Sequence, residues 1–397
     1  MWRVQIVTVM ARASACVCYK VSRTDGRRGG TLRYAISCRG WRRFGSARRH
    51  RVASAVLAVA LMLVPTLAFS HVKWFVTYDL LSPPRPVAAV LFNRYFLLFS
   101  LFIAPLIFVI AFVDDYLARR PAQLIPAART IESRVAAHFP LLLRLGVSAF
   151  FLAVFWYGCI HEWMILTPEL RTHSGWICIV QLAVAVCALN RRTAVVSGVG
   201  IVFLYIFGIS EYGLFHMLDY PIFLGVAVFL IAHSIVGPKG EEWALGAVRI
   251  ATAVTLLWAS VEKWAFPEWS FMLMAQRPGL SLGFDPEFYM IAAGFVEFCA
   301  AFLLLTGSLA SRVAALVLLF MFLSAIVPFG VIDAIGHSVI IVVLMLLIFS
   351  NNNAARYFSA QNSGIRTAAL QTGYFFGALL LFFFLYYAGY YLGYGPG

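Results

Sequence analysis

The chain has 397 residues, of which 62% are apolar and only 12% are charged. A soluble domain carries about 25% charged residues, so this chain lacks the polar surface of a water-soluble globule. The net charge of +14 is concentrated in residues 1–51, which hold 13 basic residues and one acidic residue. The other 346 residues hold 18 basic and 16 acidic residues, a net charge of +2. We therefore exclude nucleic acid as a partner.

The N-terminal 70 residues divide into two segments. Residues 1–50 are rich in Arg, Ser and Gly and follow neither a helical nor a strand period, so we predict a basic unstructured leader. A translation start assigned too far upstream would produce the same segment. Residues 51–70 look like a secretory signal peptide, with a basic beginning, an apolar run and small residues before a cleavage site. Cleavage would make His71 the first residue, whereas an uncleaved segment would be a signal-anchor.

Ten further segments are long and apolar enough to span a bilayer. They lie near residues 92–113, 141–161, 174–189, 193–209, 219–236, 244–263, 286–307, 311–328, 333–350 and 372–393. The sequence therefore predicts an all-α, polytopic transmembrane helical bundle of about ten spans, with the lipid bilayer as its solvent.

Basic residues identify the cytoplasmic side of this bundle. They fall in the loops near residues 114–140, 190–192, 237–243 and 351–370, which share one side of the membrane. Residues 71–140 then comprise an extracytoplasmic lead-in, the first transmembrane helix and a cytoplasmic loop. Residues 351–397 comprise a cytoplasmic loop and the last helix, so the C-terminus is extracytoplasmic. We expect the membrane to be a bacterial inner (plasma) membrane.

Two four-helix blocks, residues 141–236 and 244–350, resemble each other. Each block opens with an arginine in its first helix, has a polar residue in its second helix, and has an aromatic–glycine pair before its fourth. The matching residues are Arg144 and Arg249, Gln181 and Glu297, and Gly213 and Gly330. Because four spans return the chain to its starting side, the two copies form a parallel repeat.

The second block, residues 244–350, resembles the DoxX family of four-helix membrane proteins. The residues that carry the resemblance are Arg249, Lys263, Glu297, Gly307 and the run Arg312-Val313-Ala314-Ala315-Leu316. The first block is a looser match, because the lysine is replaced near Gly158 and Gln181 stands in place of the glutamate. The family includes the small subunit of thiosulfate:quinone oxidoreductases. The resemblance therefore implies a quinone-linked redox process, with quinone as cofactor and a redox subunit as partner.

One acidic residue, Glu297, is placed near the middle of a span. A carboxylate there needs a cationic partner or a proton, and Lys263 and Arg249 are the candidate partners. The site is either a buried ion pair between helices or a proton-carrying group beside a quinone. On the second interpretation Glu297, Lys263 and Arg249 are candidate catalytic residues.

Two histidine–carboxylate pairs begin the fourth helices of the two blocks. His216 and Asp219 are three residues apart and Asp333 and His337 are four apart, so each pair shares a helix face. Such pairs bind a metal ion, relay protons, or form hydrogen-bonded pairs at the membrane interface. We predict that the four residues converge on one cavity at the outer face. His71, if signal cleavage exposes its amine, is a further candidate ligand, for copper.

The sequence thus supports three alternatives for function. The leading prediction is a membrane component of an extracytoplasmic, quinone-linked redox process. The second is a transporter of a metal ion or small solute, for which the parallel repeat argues. The third is a scaffold subunit without chemistry of its own. No soluble catalytic domain is predicted, so any enzyme activity would be intramembrane or supplied by a partner.

Overall fold

A computed structural model describes residues 2–11, 14–23, 72–79, 81–118, 126–306, 309–350 and 364–395, with side chains from residue 72 onward except 118–132. The predicted signal segment and His71 lie outside the described residues. The chain divides into two units, Met1–Leu61 and Met62–Gly397.

The first unit contains an antiparallel pair of strands, β1 (Trp2–Ala11) and β2 (Ser14–Arg23). This differs from the leader without regular structure that we expected from the sequence. Both strands are rich in valine, and β1 also has Ile6 and Thr8. These β-branched residues favour extended backbone. The prediction of an unstructured leader relied on the overall content of Arg, Ser and Gly in residues 1–50 and did not consider these local valines.

The second unit is almost entirely helical, with thirteen helices in its described part. They are α1 Val87–Leu91, α2 Arg94–Ala118, α3 Pro126–Ile160, α4 Ile177–Ala188, α5 Ala194–Tyr212, α6 Leu214–Met217, α7 Pro221–Ile235, α8 Pro238–Ala265, α9 Pro267–Gln276, α10 Pro286–Thr306, α11 Leu309–Phe329, α12 Val331–Phe349 and α13 Gly364–Tyr394. Short 3-10 turns cover Val72–Trp74 and Pro278–Ser281, and β3 (Trp163–Met164) pairs antiparallel with β4 (Arg171–Thr172).

All ten predicted spans are helical, and the prediction of an all-α polytopic membrane bundle is confirmed. In the described part of the chain, eight helices are long and apolar enough to cross a membrane, namely α2, α3, α5, α8, α10, α11, α12 and α13. The other two, α4 and α7, are apolar but shorter, with 12 and 15 residues. The protein is therefore an integral membrane protein.

Glycines with positive φ separate several of these helices. Gly213 (φ 82°) ends α5, Gly237 (φ 72°) lies between α7 and α8, and Gly330 (φ 73°) lies between α11 and α12. Side chains other than glycine rarely adopt this backbone conformation, so glycine is required where the chain turns so sharply. Gly213 and Gly330 occupy the matching positions of the two predicted blocks.

The eight block helices pack in a closed order of neighbours. Each helix packs on the next in the order α3, α4, α5, α7, α8, α10, α11 and α12. The order is closed because α12 packs against α3. The flanking helices α2 and α13 pack on each other and on α10. Arg144 donates to the carbonyl of Leu189 (3.3 Å) as Arg249 does to that of Leu304 (3.2 Å). Both features favour the parallel repeat, which stays a prediction.

Candidate functional site

Five ionisable side chains from distant parts of the chain meet at the end of the bundle where α8 ends. They are Lys73, Glu169, His216, Asp219 and Glu262, and we call them the Lys73 cluster. All but Glu262 are buried, and the side chain of Glu262 is 15% exposed. Two of the five, His216 and Asp219, are predicted site residues.

Lys73 is the centre of the cluster. Its Nζ atom donates a hydrogen bond to Oδ2 of Asp219, and it lies 2.9 Å from Oε2 of Glu262 and 3.5 Å from Oε1 of Glu169. The same Oε1 atom lies 2.7 Å from Nε2 of His216. One ammonium group therefore faces three carboxylates. The acidic groups of the cluster thus outnumber its one lysine.

The lead-in segment before α1 delivers Lys73 to this position. Lys73 and Trp74 belong to the 3-10 turn, whose three residues are all buried. The Trp74 ring packs 4.5 Å from the ring of His337, and a Cβ atom at Gly336 would overlap it. The absence of a side chain at Gly336 thus allows the indole to dock on α12, which anchors the lysine beside it.

The connection between α3 and α4 delivers Glu169. Gln181, on α4, donates side-chain hydrogen bonds to the carbonyls of Met164 and Ile165, the latter at 3.3 Å. The hydroxyl of Tyr212 donates to the carbonyl of Arg171 at 2.6 Å. Glu169 lies between these two fixed points, so the loop holds its carboxylate rigidly. Gln181, which we predicted as the first-block counterpart of Glu297, serves here to position a loop.

Two tyrosines hydrogen-bond to the Glu169 carboxylate as well. Tyr78 donates to Oε1 at 2.7 Å, and Tyr220 donates to Oε2. Burial raises the pKa of the Tyr78 hydroxyl, and the charge of Glu169 raises it further, so this group remains a proton donor at neutral pH.

The charges of the cluster stabilise one another. Burial alone would lower the pKa of Lys73, but the carboxylates of Asp219, Glu169 and Glu262 outweigh it and hold that pKa well above its ordinary value. Burial would raise the pKa of Glu169, but Lys73 and His216 hold it well below its ordinary value. The ammonium and the Glu169 carboxylate are therefore both ionised at neutral pH.

An open cavity of about 740 Å³ adjoins the cluster. Its walls come from the lead-in segment between Thr77 and Pro86, from α9 and its approach, and from Tyr391 on α13. Tyr78 and Trp269 line the cavity, and Nζ of Lys73 lies 5.8 Å and 5.9 Å from the centres of their rings. These two rings separate the cavity from the charged cluster. Ligand sites of small molecules commonly have volumes of about 300–1,000 Å³.

The second predicted charged site is a separate ion pair. Nζ of Lys263 lies 2.6 Å from Oε2 of Glu297, and both side chains are buried. Arg249, the other candidate partner, lies near the middle of α8, 14 residues before Lys263, where it donates to Ser311 (2.7 Å) and Ser350 (2.5 Å). Glu297 therefore pairs with Lys263 and not with Arg249. Glu262 and Lys263 are consecutive, so the end of α8 contributes to both charged sites.

The two histidine–carboxylate pairs do not form one group of ligands. Nδ1 of His337 lies 3.0 Å from Oδ2 of Asp333, and the His337 ring also packs on Phe322 (4.8 Å). Among the described residues, the donor atoms that lie within 4.8 Å of one another belong to Glu169, His216 and Asp219. Of the predicted metal candidates, His216 and Asp219 therefore lie in the Lys73 cluster, and Asp333 and His337 form a separate pair. His71 lies outside the described residues.

The sequence analysis did not identify Lys73, Glu169 or Glu262 as site residues. A signal for Lys73 was present, since Lys73 and Lys263 each precede a tryptophan, as Lys73-Trp74 and Lys263-Trp264. Glu169 stands alone in a loop, and no period or motif connects it to a lysine 96 positions earlier.

Comparisons with known proteins give no match: no family model, curated protein or solved structure is similar to this chain. The resemblance to the DoxX family therefore stays a prediction from the residues quoted above.

Proposed function

We propose that the protein is the membrane component of an extracytoplasmic, quinone-linked redox process. The quinone headgroup binds in the cavity beside Tyr78 and Trp269, and the Lys73 cluster exchanges protons with it. The single observation that carries this proposal is the Tyr78 hydroxyl, which belongs to a cavity-lining residue and donates to the buried Glu169 carboxylate at 2.7 Å.

The walls of the cavity suit an apolar ring with polar edges. Pro83, Pro84, Phe266 and Met272 supply apolar surface. The polar groups of the lining are the hydroxyl of Ser82 and the charged side chains of Asp79, Arg85 and Glu268. Sites for small ligands combine mostly apolar walls with a few polar groups that fix orientation. A headgroup in this cavity meets the aromatic wall that Tyr78 and Trp269 form, behind which the charged cluster lies.

The chemistry requires protons as well as electrons. Reduction of a quinone to a quinol takes up two electrons and two protons, and oxidation of the quinol releases both. The cluster, with Tyr78 as its contact to the cavity, supplies or accepts the protons. The electrons come from, or pass to, an extracytoplasmic redox subunit, since the described residues include no redox cofactor motif. Such a partner follows from the leading interpretation of the sequence.

Binding of a short-chain quinone to the full chain in detergent, followed by quenching of tryptophan fluorescence, tests this proposal. We expect saturable binding by the wild type and a loss of affinity of at least about tenfold in Met272→Trp, because the larger side chain fills the cavity. Met345→Trp on α12 is the matched control, since both methionines are 42% exposed but only Met272 lines the cavity.

Two results would contradict the proposal. One is a wild-type protein that shows no saturable binding. The other is an equal loss of affinity in the Met272→Trp and Met345→Trp variants, which would show that the cavity is not where the quinone binds.

Transport of a cation is the second candidate function, and a specific observation favours it. The three donor atoms of Glu169, His216 and Asp219 converge inside a membrane protein. A transporter would move a metal ion across a sealed vesicle in the absence of quinone, whereas the quinone-linked protein would not. Uptake of a divalent ion into proteoliposomes therefore distinguishes the two functions.

A further inference from the structure

The Lys73 cluster contains donor atoms whose bonding is incomplete. Nδ1 of His216 has no hydrogen-bond partner among the described residues, and the same holds for Oδ1 of Asp219. His216 is 1% exposed and Asp219 is 2% exposed, so bulk water does not compensate. Leaving such atoms buried and unbonded is unfavourable, because they lose their hydrogen bonds to water without replacement.

The imidazole of His216 also contacts the Glu169 carboxylate directly. Nε2 and Oε1 are 2.7 Å apart, so the two side chains are close enough to bind one ion together. With an oxygen of Asp219, these atoms form a group in which every separation is within 4.8 Å. Two ligand atoms about 2.0–2.2 Å from a common ion are at most about 4.4 Å apart, so the widest separation within the group shortens slightly when an ion binds.

The charge of the cluster leads to the same conclusion. Three carboxyl groups face one ammonium, so acidic groups outnumber the cation that they surround. Uncompensated negative charge inside a protein is costly, and a metal cation bound among the carboxylates would compensate it. Lys73 at present provides the positive charge beside Asp219. It has an alternative partner in Glu262, whose Oε2 is 2.9 Å from Nζ.

We propose that Glu169, His216 and Asp219 bind one divalent transition-metal ion, and that Lys73 is the resident cation that the metal displaces. When the metal enters, the ammonium leaves Asp219 and stays paired with Glu262. The lysine thus tunes the affinity of the site, because a metal must compete with a positive charge that belongs to the chain itself.

The ligand types indicate which metals the site takes. One imidazole with two carboxylates suits Zn²⁺, Mn²⁺, Fe²⁺ or Co²⁺, while the soft ion Cu⁺ prefers thiolate and thioether ligands. The group contains no cysteine. The metal reaches the site from the end of the bundle where Glu262, the most exposed of the three carboxylates, lies.

The test uses Co²⁺ as the probe, because its visible absorption reports the ligand set, and the full chain in detergent. We expect a single Co²⁺ per chain, displaced by Zn²⁺, with a spectrum typical of nitrogen and oxygen ligands. His216→Gln and Asp219→Asn should abolish binding. Lys73→Gln should instead tighten it by at least about tenfold, since it removes the competing charge.

The control is the double variant His233→Gln, Glu241→Gln, which alters a histidine–carboxylate pair (2.7 Å) at the opposite end of α7 from Asp219 and should leave Co²⁺ binding unchanged. The Lys73→Gln result does not depend on whether the ligand variants fold, because a gain in affinity cannot come from misfolding. Absence of saturable Co²⁺ binding by the wild type would overturn the proposal. So would weaker binding by Lys73→Gln, or loss of binding in the His233, Glu241 control.

This inference goes beyond the proposed function and is independent of it. A protein that binds Co²⁺ but no quinone would retain the metal site and contradict the redox proposal. A protein that binds quinone but no Co²⁺ would do the opposite.

Discussion

The ion pair between Lys263 and Glu297 permits a quantitative test of the helix packing. The two charged atoms are 2.6 Å apart, and the side chains are 5% and 3% exposed. Removing one partner of a buried pair leaves the other charge without compensation, at a cost of about 3–5 kcal/mol. We therefore expect Lys263→Met and Glu297→Gln each to lower the free energy of unfolding substantially, and Glu297→Leu to lower it more than Glu297→Gln.

A double-mutant cycle separates the pair from its surroundings. Residues in direct contact show coupling energies of about 0.5–3 kcal/mol, and burial places this pair in the upper part of that range. The Lys263→Met, Glu297→Gln double variant should therefore be more stable than the sum of the single changes predicts. Arg249→Met with Glu297→Gln should be additive within about 0.5 kcal/mol, because Arg249 bonds to serines about four turns of α8 away from Lys263.

Reversible unfolding in mixed micelles of detergent and SDS, followed by tryptophan fluorescence, measures these energies. Strict additivity of the Lys263 and Glu297 variants would refute the ion pair. Equal coupling of Glu297 to Lys263 and to Arg249 would refute the structural distinction between the two cations.

Three further predictions follow from the contacts described above. Gly336→Ala should destabilise the protein by about 1–3 kcal/mol in the same unfolding assay, because the new methyl group overlaps Trp74, whereas Gly373→Ala on α13 meets no neighbour and should be neutral or stabilising. The pKa of Glu169 is held below its ordinary value of 4.5, so the ionised carboxylate stabilises the fold above that pH, and this stabilisation is lost as the pH falls further. Glu169→Gln should therefore lose less free energy of unfolding in acid than the wild type. An unchanged dependence of that free energy on pH would contradict this. Lys239→Cys, at an exposed position, should resist labelling by an impermeant thiol reagent added outside intact cells, and labelling would reverse the predicted orientation.

The helices were predictable because apolar runs of sufficient length have few alternatives in a membrane protein. The sequence predicted that Glu297 pairs with a cation, because a buried carboxylate needs a partner, and it left Lys263 and Arg249 as the two candidates. Only the structure shows that the partner is Lys263. Distance along the helix decides it: the two cations are 14 residues apart on α8, about 21 Å at 1.5 Å per residue.

The Lys73 cluster was harder to predict, because its members come from segments without periodicity. Glu169 lies in a loop whose conformation depends on Gln181 and Tyr212. Lys73 enters through a 3-10 turn that docks by means of Trp74 on α12. Such contacts depend on the tertiary fold, whereas sequence patterns report mainly on single helices.

The link between the cavity and the Lys73 cluster is the central claim, and proton exchange on quinone binding tests it most directly. Calorimetric titration of the full chain with a short-chain quinone, in buffers of different ionisation enthalpy, measures the number of protons taken up or released. We expect a non-zero proton exchange for the wild type. Tyr78→Phe should retain binding but lose that exchange, because it lacks the hydroxyl that donates to Glu169. Equal proton exchange in the wild type and Tyr78→Phe, or no quinone binding at all, would contradict the account.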